Sequence, residues 1–253
     1  MTSGFDVGAA LRRWRRRRCR PESATSVQEF LDAYFASPDE KCVIQVGAND
    51  GIMCDPLRPY LAPSPERGIR AVLIEPIPYY FEKLKDLYAE YPNIRTLNVA
   101  CGAKAGTTPL YFIDPNIADQ MNGAGPANNW AHGQGSFDQN VVKYWIGRNK
   151  FRGNDYVSNI DRFYSSIRTI EVKVIRVADV ELSRYSRNLL LVIDVQGFEL
   201  EVVRGIDWRS PPAYILVESD LMQAGPLDGY LASKGYRYLC GQNDKVFVAM
   251  TRR

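Results

Sequence analysis

CVIQVGANDGIMCDPL, residues 42–57, begins with an almost wholly apolar run and then breaks at once into small and polar residues. Such a run predicts a buried strand that ends in a turn. Gly47 and Gly51 let the backbone turn tightly and approach a ligand closely, while Ala48, Asn49 and Asp50 between them add little bulk and two polar side chains. The end of this strand reads as a site for something flat and polar.

Outward from it, the pattern recurs. Apolar runs at 71–75 (AVLIE), 94–99 (IRTLNV), 189–194 (LLLVID) and 213–219 (AYILVES) predict four more strands. Strands without polar alternation are those that a parallel sheet buries on both faces. Helical patterns fall between them: 79–90 around Phe81, Leu84 and Leu87, 198–204 before Gly205, and 227–234 before Gly235. Upstream, Ser26-Val-Gln-Glu29 has the form of a capping box, and Phe30, Tyr34 and Phe35 follow at helical spacing. Near the end, YRYLC and KVFVAM flank Gly241-Gln-Asn-Asp244, a link short enough to join antiparallel neighbours. The expected fold is α/β, a doubly wound, mostly parallel sheet with a C-terminal antiparallel hairpin. A basic tail is expected over 1–24 and a single domain over 25–253, with an inserted lid or acceptor-binding segment at about 114–165. Within that segment only VVKYWIGR looks helical.

Composition narrows the class. A chain of 253 residues with 45% hydrophobic and 24% charged residues has the make-up of an ordinary globular domain. No apolar run approaches the ~20 residues of a membrane span, so none is expected. The five cysteines are odd in number and never spaced as CxxC, which argues against a disulfide scaffold or structural zinc and favours the cytoplasm. The net charge of +3 owes most to LRRWRRRRCR at 11–20, read as a solvated tail and not as a nucleic-acid contact. Arg12-Arg13 is followed by no apolar stretch, so export is not expected. Self-association is left open.

A strand followed by a glycine turn, in a sheet of this kind, places the ligand at the strands' carboxyl ends. A dinucleotide fingerprint needs glycine where Asn49 stands, and no P-loop lysine is present. Glu75, at the end of the second strand, suits a carboxylate that accepts both hydroxyls of a ribose. Ala100, Cys101 and Gly102 follow the third strand as a slim wall for an adenine. The pattern favours a nucleoside cofactor without a pyrophosphate.

Gly47-Ala-Asn-Asp-Gly51, VLIEPIP (72–78), NVACGAKAGTTPLYF (98–112), LLLVIDVQGFELEVVRG (189–205) and YILVES (214–219) resemble, in order and spacing, the FkbM family of S-adenosylmethionine-dependent methyltransferases. Family members usually carry Glu where this chain has Gln196, and often Asp where it has Gln45. The resemblance implies a seven-stranded methyltransferase fold and O-methylation of a hydroxyl on a sugar or natural product.

An alcohol attacks a methyl donor well only once its proton is accepted by a base or its pKa is lowered by a metal. His132, the only histidine, lies in the irregular segment and is a candidate base. Asp194 ends the fourth strand, while Glu218 and Asp220 end the fifth; the three carboxylates are a candidate magnesium site. Asp194 and Glu218 read equally well as a helix cap and an ion-pair partner. Cofactor contacts are expected from Gly47, Ala48, Asn49, Asp50, Gly51, Glu75, Ala100 and Cys101, with Gln134 and Ser136 reaching the methionine part. Trp130, Tyr144 and Trp145 are candidates for stacking on a sugar or for anchoring the lid. The preferred acceptor is a carbohydrate or other small molecule, since the segment mixes Trp, Asn, Gln and Asp. A polyketide hydroxyl and a noncatalytic protein with the same fold stay open.

Overall fold

The computed structural model describes residues 21–62, 68–121, 130–149, 160–184, 186–218 and 224–250. Most of the basic tail lies outside these residues. In chain order the elements are α1 (Val27–Ala36), β1 (Cys42–Val46), α2 (Arg58–Leu61), β2 (Arg70–Ile74), α3 (Pro78–Leu87), β3 (Ile94–Leu97), β4 (Ala100–Cys101) and β5 (Gly106–Ile113). They continue with α4 (Pro115–Met121), β6 (Gly135–Ser136), α5 (Gln139–Asn149), α6 (Ile160–Ser165), β7 (Ile167–Ile175), β8 (Leu189–Ile193), α7 (Glu199–Arg204), β9 (Tyr214–Glu218), α8 (Ala224–Ser233), β10 (Tyr236–Gly241) and β11 (Asp244–Ala249).

Seven strands form the main sheet in the order β10-β11-β9-β8-β1-β2-β3. β1 pairs in parallel with both β2 and β8, β2 with β3 and β8 with β9, while β11 runs antiparallel to β9 and β10. Every residue of β1 and β8 is buried, as apolar runs without alternation require at the centre of a two-sided sheet. The chain builds outward from β1 to β3 and then returns to lay β8 on the other side of β1, which sets the switch point between those two strands.

Local chemistry fixes the helices beside this sheet. Ser26 Oγ accepts the Glu29 N–H at 3.2 Å, the cap expected of it. The return bond goes one residue further back, where the Glu29 carboxylate accepts from Thr25 N and Oγ1 at 2.9 and 2.7 Å. Phe30, Leu31 and Tyr34 are the buried face of α1. The Tyr34 hydroxyl lies 3.0 Å from the Cys42 carbonyl and 2.7 Å from that of Asn188, tying the helix to the starts of β1 and β8. Pro78 opens α3 at its first position, where a missing N–H costs nothing.

A second sheet, which the sequence reading did not anticipate, has the order β4-β7-β5-β6. Its backbone is the antiparallel pairing of β5 with β7 from Gly106↔Val174 to Ile113↔Ile167. The expectation that residues 94–99 form one strand leading into Ala100 and Cys101 is corrected here. β3 stops at Leu97, and Asn98 Nδ2 turns back to the carbonyls of Glu75 and Pro76 at 2.9 and 3.0 Å. Those two bonds cap the end of β2 and divert the chain, so that Ala100 and Cys101 pair with Val174 and Ile175 instead. The segment at 114–165 is also more regular than expected, because α4, β6, α5 and α6 lie within it. Ile113, Ala118, Ala131, Val142, Ile146 and Phe163 give these elements a small core of their own.

Among the described residues, no helix is long and apolar enough to cross a membrane. Cys42, Cys54, Cys101 and Cys240 are free thiols.

Candidate active site

The turn after β1 is built on a close backbone contact. Gly47 has φ +85°, and a Cβ placed there would sit 1.7 Å from the Asp194 carbonyl oxygen. Only glycine allows β1 and β8 to approach so closely. The Gly47 and Ala48 N–H groups donate to Ile74 O at 2.9 and 3.0 Å, and Asp194 N–H to Val46 O at 2.9 Å, so three strand ends are tied together. Asn49 follows in the left-handed region at φ +50°. This directs its N–H to Glu75 Oε2 at 3.0 Å, while Ile77 N–H reaches Glu75 Oε1 at 2.8 Å. Glu75 is 5% exposed. Burial pushes its carboxyl up to about 7, against the pull of the two N–H bonds.

The remaining loop residues have structural tasks. Asp50 Oδ1 accepts from Ile52 and Met53 N–H at 2.9 Å each. Gly51 packs on α3, where an added Cβ would lie 2.8 Å from Leu84 Cδ1. Neither residue lines the cavity that opens above the sheet, whereas Gly47, Ala48 and Asn49 do.

That cavity has a volume of about 550 Å³, within the range of small-molecule sites, and it sits at the switch point between β1 and β8. Glu75, Pro76, Ile77, Ala100, Cys101 and Phe137 line it, as do Gln45, Asp55, Val192 and Leu216. We call the side where Ile77 and Ala100 pack with the second sheet its first lobe, and the side where Val192 and Leu216 pack with α1 its second. Asp194, Gln196 and Glu218 lie between them. Ala100 and Cys101 thus reach the cavity wall from the second sheet, as slim residues packed against β7; burial pushes the Cys101 thiol up to about 12.

Gln196 occupies the left-handed region at φ +52°, just after β8. The turn brings its Nε2 to Asp194 Oδ1 at 2.9 Å and to Glu218 Oε2 at 2.5 Å. Burial, then the hydrogen bond to Asp194 and its charge, push the Glu218 carboxyl well above the usual carboxylate range. Asp244 is also shifted upward, by burial and the Asp194 charge. The sequence reading expects magnesium between Asp194, Glu218 and Asp220. An amide nitrogen stands between the first two, Asp220 is outside the described residues, and among those residues no group of three His, Cys, Asp or Glu side chains is gathered to hold an ion. Glu199 and Glu201 serve α7: Glu199 Oε1 accepts the Gly197 N–H at 2.8 Å, and Glu201 pairs with Arg204.

His132 lines the cavity, but both its ring nitrogens are engaged. Nδ1 lies 3.2 Å from the Tyr80 hydroxyl and Nε2 lies 3.1 Å from Asp119 Oδ1. Burial lowers its pKa, outweighing the Asp119 charge. A neutral ring that donates from Nε2 to Asp119 and accepts at Nδ1 from Tyr80 has no lone pair left for a substrate proton. Through these two contacts the ring pins residues 130–136 to α3 and α4. Asp119 also accepts from Tyr79 at 2.7 Å, which extends the pin.

Gln134 lines the cavity, and its side-chain Oε1 is buried without a donor. Ser136 is buried, with its Oγ accepting the Asp138 N–H at 3.3 Å, and it is absent from the described cavity wall. Trp130 and Trp145 are on the wall; Trp130 packs on Phe163 at 4.9 Å between ring centres, while Tyr144 is exposed beside Trp145. Sequence reasoning missed Gln45 and Asp55 as site residues. The signals for the former were its position as the only polar residue in CVIQV and the Asp that family members often carry there.

The sequence profile of the FkbM methyltransferase domain matches residues 45–238, most of the chain. Among solved structures, similarity extends to the METTL16 methyltransferase domain, at 11% identity and TM-score 0.39, covering 88% of this chain and 66% of that one, just under two thirds. It extends also to precorrin-6y C5,15-methyltransferase from Geobacter metallireducens GS-15, at 12% identity and TM-score 0.39, covering 90% of this chain and 93% of that one. No curated protein matches. The profile match and the glycine turn that it includes place the chain in the FkbM family of S-adenosylmethionine-dependent methyltransferases.

Proposed function

We propose that the chain is an O-methyltransferase whose acceptor is a hydroxyl of a sugar, polysaccharide or glycosylated natural product. The observation that carries this reading is one cavity whose wall includes Glu75 together with Asp194 and Glu218. Glu75 and the turn at Gly47, Ala48 and Asn49 would hold the cofactor's nucleoside, with Ala100 and Cys101 as the slim wall beside its base. Gln134 Oε1, which has no donor within the protein, suits the cofactor's ammonium group. When bound, S-adenosylmethionine supplies an electrophilic methyl group.

The protein's own task is then to place the acceptor oxygen and take its proton. Asp194, just after β8 on the cavity wall and bonded to the Gln196 amide, is the carboxylate assigned to accept that proton. Gln196 holds the two side chains in register through its amide.

Calorimetry of the full chain with S-adenosylhomocysteine tests the first half of the reading. Binding with a micromolar dissociation constant is expected, and none at millimolar ligand would sink it. A screen of neutral glycans with radiolabelled cofactor tests the second; label found only on nitrogen would replace O-methylation.

A further inference from the structure

The second lobe of the cavity lies against the face of the sheet covered by α1. Gln45, Val192 and Leu216 stand side by side there, in register across β1, β8 and β9. Gln45 is 3% exposed, and its Nε2 donates to Asp55 Oδ1 at 3.1 Å; that oxygen also accepts the Leu57 N–H at 2.9 Å. Each of the two side chains keeps one oxygen outside these bonds. Gln45 Oε1 and Asp55 Oδ2 are buried oxygens without a donor, and Gln196 Oε1 is a third, since its nitrogen is committed to Asp194 and Glu218. A buried acceptor left unpaired costs about 1–3 kcal/mol, and native proteins pair nearly all such groups. Three of them on one cavity wall make a surface that is completed by hydrogen-bond donors from a ligand.

Charge restricts which ligand. The described wall carries the carboxyl groups of Asp55, Glu75, Asp194, Glu218 and Asp244, and no lysine or arginine. An anionic substituent entering this lobe would lose its hydration and find no cation on the described wall to replace it. Resting on the methyltransferase reading above, we infer that this lobe is the acceptor subsite and that it selects an uncharged, polyhydroxylated ring. The ring's hydroxyls donate to Gln45, Asp55 and Gln196, and phosphorylated or uronic-acid rings are rejected.

Saturation-transfer NMR on the full chain loaded with S-adenosylhomocysteine tests this, with methyl α-D-glucopyranoside and glucose 6-phosphate each at about 10 mM as probes, a concentration suited to weak binding. Transfer to the glucoside is expected to exceed transfer to the phosphate by at least about fivefold, near 1 kcal/mol. Gln45→Leu and, independently, the half-buried Asp55→Asn should each weaken the glucoside signal severalfold while S-adenosylhomocysteine affinity stays near wild type. Absence of glucoside transfer, a smaller ratio between the probes, or an unchanged signal in a folded variant overturns the inference. Wild-type protein that fails to bind S-adenosylhomocysteine overturns the proposed function instead, so the two failures are distinguishable.

Discussion

The two lobes of the cavity differ in how their carboxyl groups are completed. In one, both oxygens of Glu75 already accept backbone N–H groups, from Asn49 and Ile77. In the other, Gln45 and Asp55 each retain a buried oxygen without a donor, as does Gln196 at the joint between the lobes, while Gln134 keeps one for the cofactor. A carboxylate fixed by main-chain amides is set in place before any ligand arrives, so little ordering is lost on binding. A wall with unfilled acceptors discriminates, because a ligand lacking the matching donors leaves them unpaired. The first lobe suits a ligand that never varies, the second a ligand that has to be chosen.

The most severe way to break this arrangement is Gly47→Ala. The new Cβ would collide with the Asp194 carbonyl at the joint between the lobes, in a backbone conformation that alanine resists. A cost above ~4 kcal/mol is expected, seen as loss of the cooperative thermal transition or a fall in Tm of well over ~10 °C. Wild-type stability in this variant would show that the strands do not need that approach.

Asp194→Asn comes next. Turnover should fall about 10²- to 10⁴-fold, the usual contribution of a positioned base, with S-adenosylhomocysteine affinity near wild type. An equal loss of affinity would move Asp194 to the cofactor's lobe.

Glu75→Gln should weaken S-adenosylhomocysteine binding about 10- to 100-fold, from roughly 1.5–3 kcal/mol of charge-assisted hydrogen bonding. Its pH dependence sharpens the point. Ribose hydroxyls donate to the ionised carboxylate, so wild-type affinity should rise as pH increases through about 7, where Glu75 titrates, and the glutamine variant should lose that component. The unliganded fold should respond in the opposite sense. The folded chain holds the Glu75 proton more tightly than the unfolded chain, whose value is near 4.5, so the group's contribution to stability is complete below 4.5 and is lost as pH rises to about 7. The difference amounts to about 3 kcal/mol, and denaturant titrations of the two proteins across that window measure it.

His132→Ala should act on stability, not on chemistry. Loss of a partner for the Tyr80 hydroxyl and for Asp119 should cost about 1–3 kcal/mol, while turnover per folded molecule changes less than about threefold. A much larger fall in turnover at unchanged stability would restore His132 as the base. The smallest expected effect is that of EDTA, within about twofold on activity; abolition by chelation and rescue by magnesium would put an ion where the Gln196 amide now stands.

The main sheet was legible because burial on both faces leaves a local mark. CVIQV, AVLIE, LLLVID and AYILVES each announce a central strand within a few residues, and the glycines after β1 announce the turn. The second sheet left a weaker mark. β7, IRTIEVKVI, is buried on one face only at Val172 and Val174, and its partner β5 lies far upstream, so neither local periodicity nor a short turn reveals the pairing. His132 shows the same limit. Its singularity in the sequence suggested chemistry, but its role depends on Tyr80 from α3 and Asp119 from α4.

By itself, then, the sequence determined the parallel sheet, the glycine turn and the carboxylate at Glu75, because each is encoded by burial or backbone freedom within one short stretch. Only the tertiary structure decided which polar groups satisfy one another: Asp55 with Gln45, Gln196 with Asp194 and Glu218, His132 with Tyr80 and Asp119. Hydrogen-bond partnership is a matter of distances between remote residues, and strand order sets those distances.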